Sequence, residues 1–369
     1  MKLSLHGRTG AIALTGILAL TLTACGSDDP TGSGNASTTP EQSTLSGELN
    51  GAGATSQEKA MDAWRAGFQS ANPDVTVNYD PVGSGGGRTQ FLDGSVEFAG
   101  SDSALSEEEL ESATATCGTE AVDLPVYISP IAVVFNLEGI SELNLSAATL
   151  AGIFDNTITT WDAPQIAAEN PGVTLPATAI TPVHRSDESG TTKNFTDYLA
   201  DASGGAWAYE ADGNWPVEGG ESAQGTSGVI QTVQGGEGTI SYADNSAVGT
   251  LGVASIKVGE EWVAPSEEGA AAAVDASPRD EERPEHDIVI EIDRETTAAG
   301  AYPLILISYG LACLQYDTAE KADLVKGFFG YVVSAEGQAA AEEAAGSAPL
   351  SDTLRADVQA AIDAITAAA

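Results

Sequence analysis

Val75-Thr76-Val77-Asn78-Tyr79 is followed by Gly83-Ser84-Gly85-Gly86-Gly87-Arg88 and then by Thr89-Gln90-Phe91-Leu92. The first block alternates branched and polar residues as a half-buried strand does; the second reads as a glycine loop and the third as the opening of a helix. Strand, small-residue loop and helix in that order present backbone N–H groups to an anion. The loop lacks the Lys-Ser/Thr of a nucleotide P-loop and the spacing of a dinucleotide fingerprint. Taken alone it is also an ordinary turn.

Two further segments repeat the arrangement. Gly51-Ala52-Gly53-Ala54-Thr55-Ser56 precedes a run in which Ala60, Met61, Trp64 and Phe68 make an apolar helical face. Val183-His184-Arg185-Ser186-Asp187-Glu188-Ser189-Gly190-Thr191-Thr192 packs a guanidinium, a carboxylate to orient it and a set of small hydroxyl residues into a helix start. Arg185 can give two parallel charge-assisted bonds to a phosphate-like group, with Asp187 holding the fork. Ser189, Gly190 and Thr191 offer unpaired N–H groups at the positive end of the helix dipole. Ser, Asp and Thr before a helix also make a plain N-cap, so the segment carries both readings. Elsewhere, apolar runs at 126–135 and 304–309 alternate with helical patterns, as buried strands of an α/β protein do.

The set of motifs resembles the phosphate-binding protein of the phosphate-specific ABC importer, the PstS family, over about residues 49–350. GAGAT at 51–55, YDPVGSGGG at 79–87, FAGSD at 98–102 and HRSDESGTT at 184–192 are similar to its site segments. ITTWDAPQI at 158–166 and NPG at 170–172 resemble a landmark without a ligand role. The resemblance implies a two-lobed, periplasmic-binding-protein-like fold of type 2, with two hinge crossings and the ligand cleft between lobes. Carried over position by position, it makes Thr55, Ser56, Ser84, Asp102, Arg185, Asp187, Ser189, Gly190 and Thr191 the phosphate contacts. Position 56 is Ser where many members have an aromatic residue, which favours a backbone contact there. Position 188 is Glu where Gly is common, and its carboxylate is expected to point to solvent rather than repel the ligand. Asp102 follows the strand-like 96–100 segment, at the end where open α/β sheets bind ligands. Its competing role is to cap a helix over 103–110.

Composition bounds the partners. The formal charge of −40 becomes −42 once Lys2 and Arg8 leave with a signal segment, 12 basic residues then facing 54 acidic ones. Nucleic acid and anionic membrane are poor partners for such a surface. Residues 1–24 read as a lipoprotein signal peptide, because the apolar run 11–22 is short for a ~20-residue membrane span and Leu22-Thr23-Ala24-Cys25 fits a lipobox. Cys25 would carry the lipid, and an ordinary signal with a stray Cys is the alternative. The Gly/Ser/Thr/Pro-rich stretch 25–46 reads as a disordered tether. Cys117 and Cys313 remain, in a compartment where disulfides persist, and are expected to pair; two unrelated free thiols are the competing reading.

Lobe one is placed at 47–130 plus 304–369 and lobe two at 131–303, with crossings near Ile131 and Pro303. The acidic, Ala-rich stretch 265–287 reads as a surface excursion of lobe two, and the tail from Ala335 as packing helix. No serine has the G-x-S-x-G context of a hydrolase, and His184 reads as a packing residue. No His/Cys cluster has metal-ligand spacing, and no cofactor is expected. The chain thus reads as a monomeric, lipid-anchored, extracytoplasmic binding protein, not an enzyme. It would deliver inorganic phosphate to ABC permease subunits and touch the membrane only through its lipid. Another oxyanion such as sulfate or molybdate, or a surface phosphate sensor without a transporter, are the alternatives.

Overall fold

The computed structural model describes residues 45–368. The signal segment, Cys25 and all of the tether but its last two residues lie outside them. Leu45 already packs on the core beside Gly327, so the folded body begins slightly before residue 47.

β1 (Gly47–Gly53), α1 (Glu58–Ala71), β2 (Val75–Asp80), α2 (Ser84–Leu92), β3 (Phe98–Ser101) and α3 (Glu107–Cys117) come first. β1 pairs in parallel with both β2 and β3. The α1 face of Ala60, Met61, Trp64 and Phe68 is buried, and the Trp64 indole donates to the Gly337 carbonyl at 2.8 Å. Gly85, Gly86 and Gly87 lie inside α2, not in a loop before it, which corrects the sequence reading. Crowding explains this: a Cβ on Gly87 would stand 2.4 Å from the Gly53 Cα. Interior glycine costs about 1 kcal/mol of helix propensity relative to Ala, and here it lets α2 lie directly on β1. The next helix starts at Glu107, not Ser103, because Ser106 and Glu109 form a capping box. Asp102 therefore caps nothing.

β4 (Ala121–Phe135) leads through β5 (Glu142–Leu145), α4 (Ala147–Phe154), α5 (Pro164–Glu169), β6 (Thr181–Arg185), α6 (Gly190–Ala202) and β7 (Glu221–Ala223). Then come α7 (Gly225–Gly235), β8 (Thr239–Asp244), β9 (Gly252–Val258), β10 (Glu261–Val263) and α8 (Glu267–Asp275). The chain returns as β11 (Ile305–Cys313), β12 (Gln315–Tyr316), α9 (Ala319–Val332), α10 (Ala335–Ala345), α11 (Asp352–Asp363) and β13 (Thr366–Ala367). Strand order along the main sheet is β2-β1-β3-β11-β4-β8-β6-β7.

β4 is buried along its whole length and joins the two halves of this sheet. Residues 121–130 pair antiparallel with β11, whereas 131–135 pair with β8 and β9. At the changeover the Ile131 amide donates to the Leu304 carbonyl at 2.9 Å, and the Tyr302 hydroxyl donates to the Ile131 carbonyl at 2.8 Å. Residues 131 and 302–304 thus lie side by side at one seam of the sheet. Pro125 and Pro130 are tolerated in a central strand because one sits at a register slip opposite Tyr309 and the other at the seam. Trp161 is wholly buried and donates to Gly238, and Asn170 ties to Asn144, so the 158–172 landmark is structural.

The 265–287 stretch departs in part from expectation. Ala270 and Ala273 are buried on α8, which packs on β4, and Asp287 is fully buried with its carboxylate accepting from the Asp123 amide at 2.8 Å. Arg283 bridges Asp287 at 3.1 Å and the Leu105 carbonyl at 2.7 Å. Small alanine side chains allow the close approach, and Arg283 offsets the buried charges. Burial, with Asp287 adding its charge, pushes the Asp123 carboxyl well up. The segment therefore runs along the surface, as expected, but as a strap from the second half held onto the first rather than as a free excursion.

Candidate functional site

Asp102 is the centre of the site. It follows β3 and is 3% exposed, and its two carboxylate oxygens accept from the Ser56 hydroxyl at 2.6 Å and the Thr191 hydroxyl at 2.9 Å. Its own amide donates to the Ser84 hydroxyl at 3.1 Å. Ser56 comes from the β1–α1 turn, Ser84 from the first residue of α2 and Thr191 from α6. Hence Ser56 engages the cluster through its side chain, where sequence favoured its backbone. Burial pushes the Asp102 carboxyl up, while the Ser56, Ser308 and Thr191 hydroxyls and the Arg185 charge pull it back.

α6 comes close because Gly190 has no side chain. A Cβ there would lie 2.6 Å from the Asp102 Cβ and 2.7 Å from the Ser84 hydroxyl. Ser189 caps α6, accepting from the Thr192 amide at 3.2 Å, which leaves the Gly190 and Thr191 amides without intrahelical acceptors. The α2 amides of Ser84, Gly85 and Gly86 are in the same position at their helix start.

Arg185 ends β6 and is 4% exposed. Its Nε donates to one Asp187 oxygen at 2.8 Å and its Nη2 to the other at 2.5 Å, which commits one edge of the fork and leaves Nη1 for another acceptor. Burial alone would raise the Asp187 carboxyl, but its bonds to Arg185 and to the Gly225 amide hold it below its ordinary value. Gly83, at φ 94°, fits against this pair: a Cβ there would sit 2.5 Å from Asp187. Thr55 completes the set, accepting from the Thr226 amide at 3.1 Å. All nine expected residues thus fall in one connected cluster built from both halves of the sheet. Donors surround it, and helix starts face it.

A family model described as a PBP superfamily domain matches residues 38–336. Phosphate-binding protein PstS2 of Mycobacterium bovis is 36% identical, over 99% of this chain and 100% of that protein. The chain belongs to the PstS family. A second PstS relative, phosphate-binding protein PstS 3 of Mycobacterium leprae, is 35% identical over 89% of this chain and 90% of its own length. Among solved structures, a high-affinity periplasmic phosphate-binding protein bound with phosphate superposes with a TM-score of 0.70 at 24% identity, covering 85% of this chain and 93% of that one. The PstS fold, two α/β lobes with a cleft between them, is the fold of this chain.

Some residues of this cluster escaped the sequence reading. Gly225 and Thr226 open α7 and reach Asp187 and Thr55. The small run Gly225-Thr226-Ser227-Gly228 before an apolar helix was the available signal, of the same type as the other three. Tyr242 stands behind the cradle, its hydroxyl 2.8 Å from the Thr192 hydroxyl, and burial pushes its phenol up to about 12. His184 stacks on Trp215 at 5.2 Å between ring centres, as a packing residue. Glu188 does not point to solvent, contrary to expectation: it pairs with Arg88 of α2 at 3.0 Å. An opposite charge within reach stabilises a half-buried carboxylate better than partial hydration does.

Proposed function

We propose that the chain captures inorganic phosphate between its two lobes and delivers it to an ABC importer on the outer side of a membrane, catalysing no reaction. The lobes would be 47–130 with 304–369, and 131–303. The contacts would be Thr55, Ser56, Ser84, Asp102, Arg185, Asp187, Ser189, Gly190 and Thr191, joined by Thr226. The observation that carries the reading is the buried Asp102 carboxylate set among hydroxyl donors beside Arg185. Phosphate near neutral pH keeps a proton that such a carboxylate can accept. A fully ionised oxyanion in the same place would meet an unpaired like charge with little water to screen it.

The test is Asp102→Asn, nearly isosteric but uncharged and bearing a donor. The phosphate-to-sulfate affinity ratio should fall at least tenfold, ~1.4 kcal/mol, in competition titrations of parent and variant in one buffer. An unchanged ratio would remove the reason for preferring phosphate. As for placement, signal cleavage before Cys25 and a lipid on that residue would tether a monomer, and the acidic remainder would stay off the anionic bilayer. Cys25→Ala should move the protein out of the membrane fraction with phosphate affinity intact. Unchanged fractionation would rule the anchor out.

A further inference from the structure

Arg88 is held from four sides. Its Nε donates to Glu109 at 2.8 Å, its Nη1 to the Ser101 and Ser103 hydroxyls, each at 3.1 Å, and its Nη2 to Glu188 at 3.0 Å. The first three partners come from the same half of the sheet as Arg88 and fix the guanidinium in place. Glu188 comes from the other half, between Asp187 and Ser189 of the anion site. Its carboxylate fills a slot between two glycines: a Cβ on Gly85 would lie 1.9 Å from one oxygen, and a Cβ on Gly213 would lie 2.1 Å from the other. Side chains of Arg88 and Glu188 are 11% and 28% exposed, so water screens the pair only in part.

We propose that Arg88 and Glu188 form a closing latch that spans the lobes and sets how slowly bound phosphate leaves. The inference rests on the reading that phosphate is held between the lobes. Arg88 is prearranged by Glu109, Ser101 and Ser103, so closure orders little beyond Glu188 itself. When the lobes part, Arg88 keeps Glu109, while Glu188 loses its partner and must be hydrated. The pair also eases a conflict: a carboxylate one residue from Asp187 would oppose an anion, and Arg88, which is shared with Glu109, offsets part of its charge. Closed-state contacts of this kind act on dissociation more than on association.

The test is rapid-mixing measurement of inorganic phosphate association and dissociation for the parent, Glu188→Gln, Arg88→Gln and the double variant. Each single variant should release phosphate about tenfold faster, with association within about twofold, and the double variant should be no faster than the singles. Release within twofold of the parent for Glu188→Gln, or fully multiplicative effects in the double variant, would overturn the latch. Arg88 also ties down Ser101 and Ser103, so its variant can lose structure. Glu188→Gln keeps the test decisive, since among the described hydrogen bonds and ion pairs its carboxylate meets only Arg88. If the parent itself binds no phosphate in titration, the functional reading fails by itself. The latch is then read from small-angle scattering, where Glu188→Gln should enlarge the radius of gyration, and an unchanged radius would overturn it.

Discussion

Arg185→Ala should weaken phosphate binding by about 2–5 kcal/mol, roughly thirtyfold to several-thousandfold, in isothermal titration. More than one contact is lost. Arg185 is buried, and two of its nitrogens hold Asp187 while Nη1 remains for the ligand. Without it, the Asp187 carboxylate keeps the Gly225 amide at 3.1 Å but no compensating charge, and on the proposed reading it would stand beside the bound anion. Both the ligand and the residual carboxylate then lack their partner, which is why the effect exceeds that of a neutral hydrogen bond. Arg185→Lys should recover only part of the loss, because an ammonium cannot hold Asp187 through two parallel bonds and reach a third acceptor. An alanine variant within threefold of the parent would take Arg185 out of the site.

Removing the disulfide should lower stability without touching affinity. Cys117 at the end of α3 and Cys313 at the end of β11 are bonded, with Cα atoms 5.3 Å apart and a sequence separation of 196. Closing so long a loop is worth about 5 kcal/mol on the loop-entropy account, and less where the reduced unfolded chain is compact. For a folded unit of this size that corresponds to a fall in Tm of roughly 7 °C for the Cys117→Ser, Cys313→Ser variant. Phosphate affinity should stay within about twofold, because the bridge lies at the end of β11 away from Ser308, the residue of that strand beside Asp102. Mass spectrometry of the unreduced protein should yield a linked Cys117–Cys313 peptide. Two alkylatable thiols, or an unchanged Tm, would contradict the account.

Local patterns made much of the molecule legible. Period-two alternation marked β2, and the mainly apolar run 126–135 marked β4. The spacing of Ala60, Met61, Trp64 and Phe68 marked the buried face of α1, and these residues are buried there. Ser189 was readable as an N-cap because capping depends on residues three apart, and it does cap α6. Less legible were features whose cause lies far along the chain. Gly85 to Gly87 looked like a loop because glycine disfavours helix, yet α2 contains them, and at Gly85 and Gly87 it is Glu188 and Gly53 that leave no room for a side chain. Position 103 is a different case: the signal that moves the helix start to Glu107, the Ser106–Glu109 box, is itself local and outweighs the apparent start at 103.

The amino-acid sequence by itself therefore determined the α/β class and the small-residue helix starts, since each of these is set by neighbours within a few positions, while the nine candidate oxyanion contacts, Thr, Ser, Asp, Arg and Gly residues, followed from the resemblance of its motifs to the family. Tertiary structure alone decided that Ser56 and Thr191, 135 positions apart, share one carboxylate, and that Thr226 meets Thr55. It also turned Glu188 from a solvent-facing carboxylate into the partner of Arg88, and 265–287 into a strap over β4. The reason is common to all four. A buried polar group must find a partner or give up the energy of its hydration, and where that partner stands is fixed by packing across the chain, which no local pattern encodes.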